Sequence, residues 1–360
     1  MNCQNQDPSL CVSVILPVFN EGRFIQQTLR SLQGQHTQGF RLEILVVDGM
    51  SEDDTCQKIS RLAAEDPRIR ILRNPKRSTP AAFNLGVSAA TGPYVCIMGA
   101  HACYDSDYIE VCLRELLAHD AVGCSGKIVT TPANSGLQAR LVAWAMSHPF
   151  ASSSRSVRTQ PEGYADTVPF PVMRKEALLR AGGYNEQLVR NQDNDMNQRL
   201  RAMGLKLYAT AKTQCRYYPR AGIRSFLKYA FVSGLWNAWS RKENPNAMSL
   251  RHFIPMAFVG SLTVLAALAC AGALIVPTMP WRVAALAFAF IVASHLGIGM
   301  IAGVGVGLRE RTTAGLLIPP LIFAFHCSYG TGTLCGFLTP APAPAGVVAP
   351  NRTESSSDTV

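Results

Sequence analysis

The chain is short of charge. Only 16% of its 360 residues are Asp, Glu, Lys or Arg, against 48% hydrophobic. That excludes a disordered, solvating polypeptide and is too apolar for a plain soluble enzyme. The shortage is uneven. From Phe253 onward the cations are Arg282, Arg309, Arg311 and Arg352, and the acids Glu310, Glu354 and Asp358. Almost all of the formal net charge of +10 therefore belongs to residues 1–252, which puts a boundary near 252. Paired cysteines are missing too: there are eleven, an odd number, with no C-x-x-C spacing. Neither a disulfide framework nor a zinc site is indicated, and a reducing compartment fits. Residues 1–11 are polar and lack a basic stretch followed by an apolar core, so no signal peptide is expected there. The domain that follows is expected to stay in the cytosol. No internal repeat is evident.

What is present begins with Val12–Val18, a continuous apolar run suited to a buried parallel strand. Phe19-Asn20-Glu21-Gly22 turns it into a helix over Phe24–Leu32. A second buried strand is expected at Leu42–Val47, stopped by Asp48-Gly49, and a helix from Thr55 to about Glu65. Ile69–Leu72 reads as strand, Pro80–Ala90 as helix and Tyr94–Met98 as strand. This alternation predicts right-handed βαβ units, an open, mostly parallel sheet and an α/β fold. Ligands of such sheets bind at the carboxyl ends of the strands, where Asn20, Glu21, Asp48 and Gly99-Ala100-His101 collect.

A second concentration of polar residues is Asn191-Gln192-Asp193-Asn194-Asp195, ahead of Leu200-Arg201-Ala202-Met203 and Gly204. It reads as a helix with Asp193 in its first turn and Gly204 at the left-handed position past its end. Asp195 and Arg199 stand at i,i+4 and read, on their own, as a surface ion pair. An acid at Asp193 either simply favours the helix start or faces a cleft and takes a proton from a substrate hydroxyl.

The set Pro17-Val18-Phe19-Asn20-Glu21, Val46-Val47-Asp48-Gly49 and Ser51-Glu52-Asp53-Asp54-Thr55 resembles the start of family 2 glycosyltransferases. Asn84-Leu85-Gly86, Gly182-Gly183-Tyr184-Asn185-Glu186 and the Asp193 stretch extend the resemblance, over roughly residues 12–240. Within that family the succinoglycan-assembly, exopolysaccharide type is most similar, through Asn74-Pro75, Ala100-His101-Ala102-Cys103-Tyr104 and Gln192-Asp193. An ordinary nucleotide-binding α/β domain is the other reading of the strand–helix alternation.

The resemblance implies a GT-A fold that binds a nucleotide-sugar, a UDP-sugar in most relatives. Asp48 would accept from the base, with Gly49 beside it; Pro17, Asn20 and Glu21 would line base and ribose. Lys76 and Arg77 lie in a Pro-flanked loop suited to a diphosphate, and Asn84 and Ala100 complete the donor-binding set. Asp193 would be the catalytic base of an inverting displacement, oriented by Asp195 and Arg199. The family's Asp-x-Asp metal motif is degenerate here: Gly99-Ala100-His101 leaves His101 as the metal ligand for Mn2+ or Mg2+, an imidazole suiting manganese better. Asp105 and Asp107 either help or begin the next helix. Either the diphosphate supplies most of a divalent cation's ligands, or Lys76 and Arg77 replace the cation, or the enzyme is crippled. The Gln-x-x-Arg-Trp motif of processive relatives is missing, so addition of a single sugar is expected.

Eight cations and one acid lie between Lys212 and Arg251, with Arg220, Arg224 and Lys228 on one helical face. Residues 216–252 thus read either as an interfacial amphipathic helix resting on anionic headgroups or as a solvated face against the domain. Three long apolar runs follow, Phe253–Val276, Val283–Leu308 and Ala314–Leu338. The first two are long enough to span a bilayer. The third contains Pro319-Pro320, His326 and glycines, so a kinked or re-entrant segment is an alternative. The resulting plan is a tail (1–11), a GT-A domain (12–215), a basic juxtamembrane segment (216–252), a membrane region of about three segments (253–338) and a disordered tail (339–360). The cation distribution puts the catalytic domain in the cytoplasm of a multi-pass inner-membrane protein, with the last tail outside. No nucleic acid is expected as partner; other polysaccharide-assembly proteins are. The combined reading is transfer of one hexose, with glucose from UDP-glucose leading, to a polyprenyl-diphosphate-linked oligosaccharide during exopolysaccharide assembly. Its rivals are transfer to polyprenyl phosphate and a non-catalytic nucleotide-sugar-binding scaffold.

Overall fold

The structure is a computed structural model, and it describes residues 10–100, 102–152, 158–246, 248–275 and 280–341. The first half alternates as its apolar runs require: β1 (Cys11–Val18), α1 (Ile25–Gln33), β2 (Arg41–Asp48), α2 (Thr55–Glu65), β3 (Ile69–Arg73), α3 (Thr79–Ala89) and β4 (Tyr94–Ile97). Then come β5 (Ala102–Tyr104), α4 (Tyr108–Ala118), β6 (Gly123–Thr130), α5 (Leu137–Ser147), α6 (Pro149–Ser152), β7 (Gly163–Tyr164), β8 (Val172–Arg174) and α7 (Lys175–Arg180). The chain continues through α8 (Gln192–Ala202), β9 (Leu207–Tyr217), α9 (Ile223–Glu243), α10 (Ile254–Ile275), α11 (Pro280–Glu310) and α12 (Ile318–Leu338).

One nine-stranded sheet has the order β3-β2-β1-β4-β8-β6-β9-β5, with β7 paired to β9. Strands β1 to β4 pair in parallel, as continuous apolar runs buried on both faces should. Beyond β4 the sheet is mixed: β8 is antiparallel to both β4 and β6, while β6 and β9 are parallel. The parallel expectation therefore holds for the first half only, because β8 enters as a three-residue strand from a loop and not through a helical crossover. Apolar side chains fill both faces, Val14, Leu16, Ile44 and Val46 on one and Ile15, Leu45, Val47 and Ile97 on the other.

Three helices are long and apolar enough to cross a membrane, Leu250–Gly272, Trp281–Glu310 and Thr313–Leu338. The third begins as a 3-10 turn, Thr313–Leu317, and continues as the α-helix Ile318–Leu338, whose prolines fall at the first turn, where no N–H is needed. The basic segment keeps the exposed cationic face that its spacing predicts, at Arg220, Arg224 and Lys228, but its second half is enclosed. α9 buries Phe226, Ala230, Trp236, Asn237 and Trp239, enclosed between α12 on one side and the catalytic domain on the other. Its contact with α12 is close because Gly234, Gly332 and Gly336 bring backbones together: a Cβ at Gly332 would meet the Phe231 carbonyl oxygen at 2.0 Å.

Candidate active site

A crevice of about 250 Å³ lies at the carboxyl ends of β1, β2 and β4, and Pro17, Glu21, Gly49, Arg77 and Ala100 line it. Phe19, Asn74, Ser78, Thr79 and Ala82 line it as well, none of which the sequence singled out as donor-binding. The first turn of α3 thus opens on the crevice, and its dipole and N–H groups favour an anion there. Arg77 adds a cation beside it, paired with Glu52 at 3.1 Å and 6.0 Å from the Phe19 ring centre.

Asn20 and Asp48 shape the rim instead of lining the crevice. Asn20 takes a left-handed φ of 54° and its Oδ1 accepts from Glu52 N at 2.8 Å. That clasps the loops following β1 and β2 to each other. Asp48 is buried at the end of β2, accepting from Met50 N at 3.1 Å and from Ser51 Oγ at 2.6 Å. The Ser51 amide, at 3.2 Å, and the Cys56 thiol bond it as well, so the turn itself takes up most of the carboxylate's about four acceptor positions. Lys76 does not reach the crevice: its Nζ is 2.7 Å from Glu186, whose carboxyl it holds below the usual range. Asn84 is a tether. Its Oδ1 accepts from Tyr184 N at 2.7 Å and its Nδ2 donates to Tyr184 O at 2.9 Å, fixing α3 to the turn before the Asp193 helix.

Asp193 occupies the first turn of α8, as the capping pattern predicts, following Asn191 at a left-handed φ of 62°. Its side is exposed, yet protein crowds the carboxyl and burial pushes its pKa up to about 6. Its negative charge adds to burial in raising the nearby Tyr184 phenol. Asp195 and Arg199 do form an ion pair, at 2.8 Å, but not a surface one: the Asp195 side chain is 4% exposed. Arg199 also donates to the Ala181 and Gly183 carbonyls, so the pair locks the glycine turn 181–183 to α8. The buried role has no signal in i,i+4 spacing, which looks the same on a surface helix.

Asp193 does not line the donor crevice or either of two further hollows, but its neighbours line both of the latter. Asn191 and Asn194 line a cavity of about 560 Å³ between the catalytic domain and the C-terminal helices. Its wall is polar toward Arg158, Arg251, Tyr229 and Asn237, and aromatic toward Phe150, Phe258 and Phe325. Asp195 and Arg199 line a second hollow of about 520 Å³ with Asn244. No sequence motif announced the larger cavity, because its wall is assembled from seven separate helices, α5, α6 and α8 to α12.

The family's carboxylate metal clamp does not fit here. A Cβ at Gly99 would sit 2.7 Å from Cε1 of Phe170, whose ring fills the space an aspartate would need. Among the described residues no group of three metal-ligating side chains occurs. His101, the ligand singled out from the sequence, lies outside the described residues.

Residues 13–180 match the model of glycosyl transferase family 2. The chain is similar to the succinoglycan biosynthesis protein ExoA of Rhizobium meliloti, 29% identical over 89% of this chain and 92% of that protein. It is also similar to a Methanococcus voltae enzyme named dolichyl N-acetyl-alpha-D-glucosaminyl phosphate 3-beta-D-2,3-diacetamido-2,3-dideoxy-beta-D-glucuronosyltransferase. That likeness is 27% identity over 89% of this chain and 95% of the relative. Among solved structures, the mannosyltransferase PcManGT from Pyrobaculum calidifontis, in complex with GDP-Man and Mn2+, superposes with a TM-score of 0.56. At 19% identity, covering 91% of this chain and 90% of that one, it shows the fold, which is GT-A.

Proposed function

For a chain whose residues 13–180 are a family 2 glycosyltransferase domain, and which is a nucleotide-sugar-dependent glycosyltransferase, we propose an inverting transfer of one hexose to a lipid-linked acceptor. The donor is a UDP-sugar, with UDP-glucose first in line. The acceptor is a polyprenyl-diphosphate-linked oligosaccharide of surface polysaccharide assembly. The catalytic domain stands in the cytoplasm, at the inner face of a bacterial inner membrane.

The observation that carries this reading is how the Asp193 helix is fastened. Asn191 Nδ2 donates to Asn237 Oδ1 at 3.0 Å, and Asn237 in turn bonds the Tyr329 hydroxyl of α12. The turn that bears the acid is thus tied through Asn237 of α9 to an apolar C-terminal helix, beside a cavity with a polar and an aromatic end. An acceptor with a sugar, a phosphate and a hydrocarbon chain suits such a wall. The names of the two relatives, one for succinoglycan biosynthesis and one for a dolichyl-phosphate-linked sugar, support the same acceptor class.

Asp193 is the base. It takes the proton of the acceptor hydroxyl as that oxygen attacks the anomeric carbon. The bond to the diphosphate breaks on the opposite face, UDP leaves with the electron pair, and configuration inverts. A carboxyl near 6 is ionised at neutral pH and a better proton acceptor than an ordinary aspartate. The leaving diphosphate is met by Arg77 and the first turn of α3. Lys76, Glu186 and Asn84 hold the loop behind them.

The test is transfer by membranes containing the protein, with a panel of nucleotide-sugars, extracted lipid-linked oligosaccharides, and manganese present or removed. One added sugar of inverted configuration is expected. A product consisting of lipid phosphate with a single sugar would replace the acceptor reading, and transfer from no donor would end it.

A further inference from the structure

The three apolar C-terminal helices are not equivalent. α12 has 21 residues, about 31 Å along its axis. Its first turns sit on the catalytic domain, where Ile318, Leu321 and Ile322 share a cluster with Leu141, Val142 and Trp144 of α5. Its last turn is held as well. Trp239 Nε1 and Lys242 Nζ donate to the Thr339 carbonyl at 3.1 and 3.0 Å, and Lys242 also reaches Gly336 O at 3.1 Å. Two residues beyond Lys242, Asn244 Nδ2 bonds Asp195 of the catalytic helix at 2.9 Å.

Between those ends α12 lies beside α9 and parallel to it. Phe226 stacks on Phe325 at 4.7 Å, Ser328 Oγ donates to Leu227 O at 2.8 Å, and Gly332 and Gly336 lie against Phe231 and Leu235. α9 in turn rests on the catalytic domain along its length, through Gln138 at Ile223, Asn191 at Asn237 and Leu188 at Trp236 and Trp239. Both ends of α12 are therefore within a side chain or two of one domain. A helix crossing a bilayer has its ends separated by about 30 Å of hydrocarbon. A domain on one side cannot hold both.

α10 and α11 behave otherwise. Their most apolar windows are 6% and 17% buried, against 39% for the third segment. They touch α12 at Pro255, Val259, His295, Gly299 and Gly303, and meet each other far along the hairpin, where Gly272 faces Trp281. Charge agrees. Arg309 and Arg311 precede α12 and Lys242 sits at its far end, so cations flank it on both sides, where a spanning helix carries them at one. Its exposed residues lie toward its two ends, Pro320 at the first turn and Thr331, Phe337 and Leu338 toward the last, and they are mostly apolar.

We propose that α10 and α11 alone cross the bilayer, as a hairpin, and that α12 lies along the membrane surface on the catalytic side. Its exposed apolar ends rest on lipid, its inner face straps α9 to the domain, and the chain leaves α12 on the catalytic side. This differs from the expectation of three crossings and an outside tail, and it rests on the reading that the hairpin is membrane-inserted. α12 supplies Phe325, His326 and Tyr329 to the large cavity. The cavity then lies at headgroup depth, where a lipid-linked phosphate is found without leaving its leaflet.

The test is topology mapping of the full chain in a bacterial host. A fluorescent protein that matures only in the cytosol, and an alkaline phosphatase active only outside it, are each fused after Val360. A protease site is inserted between residues 277 and 278 of an otherwise intact chain. Expected are a bright fluorescent fusion, an inactive phosphatase fusion, and cleavage at 277 from the outside of spheroplasts. An active phosphatase and a dark fluorescent fusion overturn the strap. If 277 is cut only in inverted vesicles, the two-crossing hairpin falls. If carbonate washes the chain off the membrane, the membrane-inserted reading fails on its own.

Discussion

Asn244 Nδ2 donates to Asp195 Oδ1 at 2.9 Å, joining the residue that ends α9 to the buried acid one turn behind the start of α8. The other oxygen of Asp195 accepts from Arg199 Nε at 3.0 Å, and Arg199 holds the Gly183 carbonyl at 2.8 Å. Membrane-side helix, base helix and glycine turn are thus one hydrogen-bonded unit. Removing Asp195 leaves Arg199 uncompensated, so Asp195→Ala should cost about 3 kcal/mol. That is the low end for a buried pair, because the Arg199 side chain is 27% exposed. Asn244→Ala should cost about 1 kcal/mol and lower kcat more than donor affinity. Thermal unfolding in detergent and transfer kinetics check both. Equal losses from the two substitutions would contradict the unit.

Asp193 has a carboxyl at about 6, raised by burial. An acid raised on folding binds more protons folded than unfolded, between its ordinary value and about 6. Its contribution to stability is therefore greatest at low pH and is lost as pH rises through 6. Activity runs the other way, since a base must be ionised. The kcat/KM profile should lose its acid side near pH 6. Asp193→Asn should cut transfer by about 10²–10⁴-fold, leave UDP affinity unchanged by calorimetry, and raise the melting temperature at pH 7 by more than it does at pH 4.5. An unchanged rate would remove Asp193 from the mechanism.

Much of this was legible in sequence, and for identifiable reasons. The runs Val12–Val18 and Leu42–Val47 could only be buried strands, and they pair in parallel as β1 and β2. The acid-rich stretch before Met196 and Leu200 could only open a helix, and α8 begins at Gln192. What was not legible depends on tertiary packing. Lys76 and Arg77 are adjacent in one loop, yet Glu186, 110 residues away, captures Lys76 and leaves Arg77 at the crevice. Hydropathy alone also rates α12 as a span. The glycines that seat it on α9 look like ordinary membrane glycines until their partner is known.

Gly99 marks a replaced site and not merely a lost ligand. Phe170, at a left-handed φ of 48°, puts its ring against the position where a side chain would begin. Gly99→Asp should therefore destabilise by about 1–3 kcal/mol and should not increase manganese dependence. The double substitution Gly99→Asp with Phe170→Ala should recover most of that stability. Calorimetry of manganese binding, with and without UDP, reads the other half. A gain in metal affinity for the single variant would show that the space was open after all.

Gly332 tests the seating of α12 against catalysis. A Cβ there would lie 2.0 Å from the Phe231 carbonyl oxygen, and backbone cannot move aside as a side chain would. Gly332→Val should push α12 off α9 and weaken the bond of Tyr329 to Asn237, which steadies Asn191 ahead of Asp193. The donor crevice is built from β1, β2, β4 and α3, none of which touches that contact. UDP affinity should therefore hold while transfer to the lipid acceptor drops by about tenfold or more, the scale of a misplaced reacting group. Gly305→Val is the control, since nothing lies within 4 Å of a Cβ at that position. If both variants lose UDP binding alike, the damage is general unfolding. If Gly332→Val transfers normally, the base helix does not depend on α12 for its position.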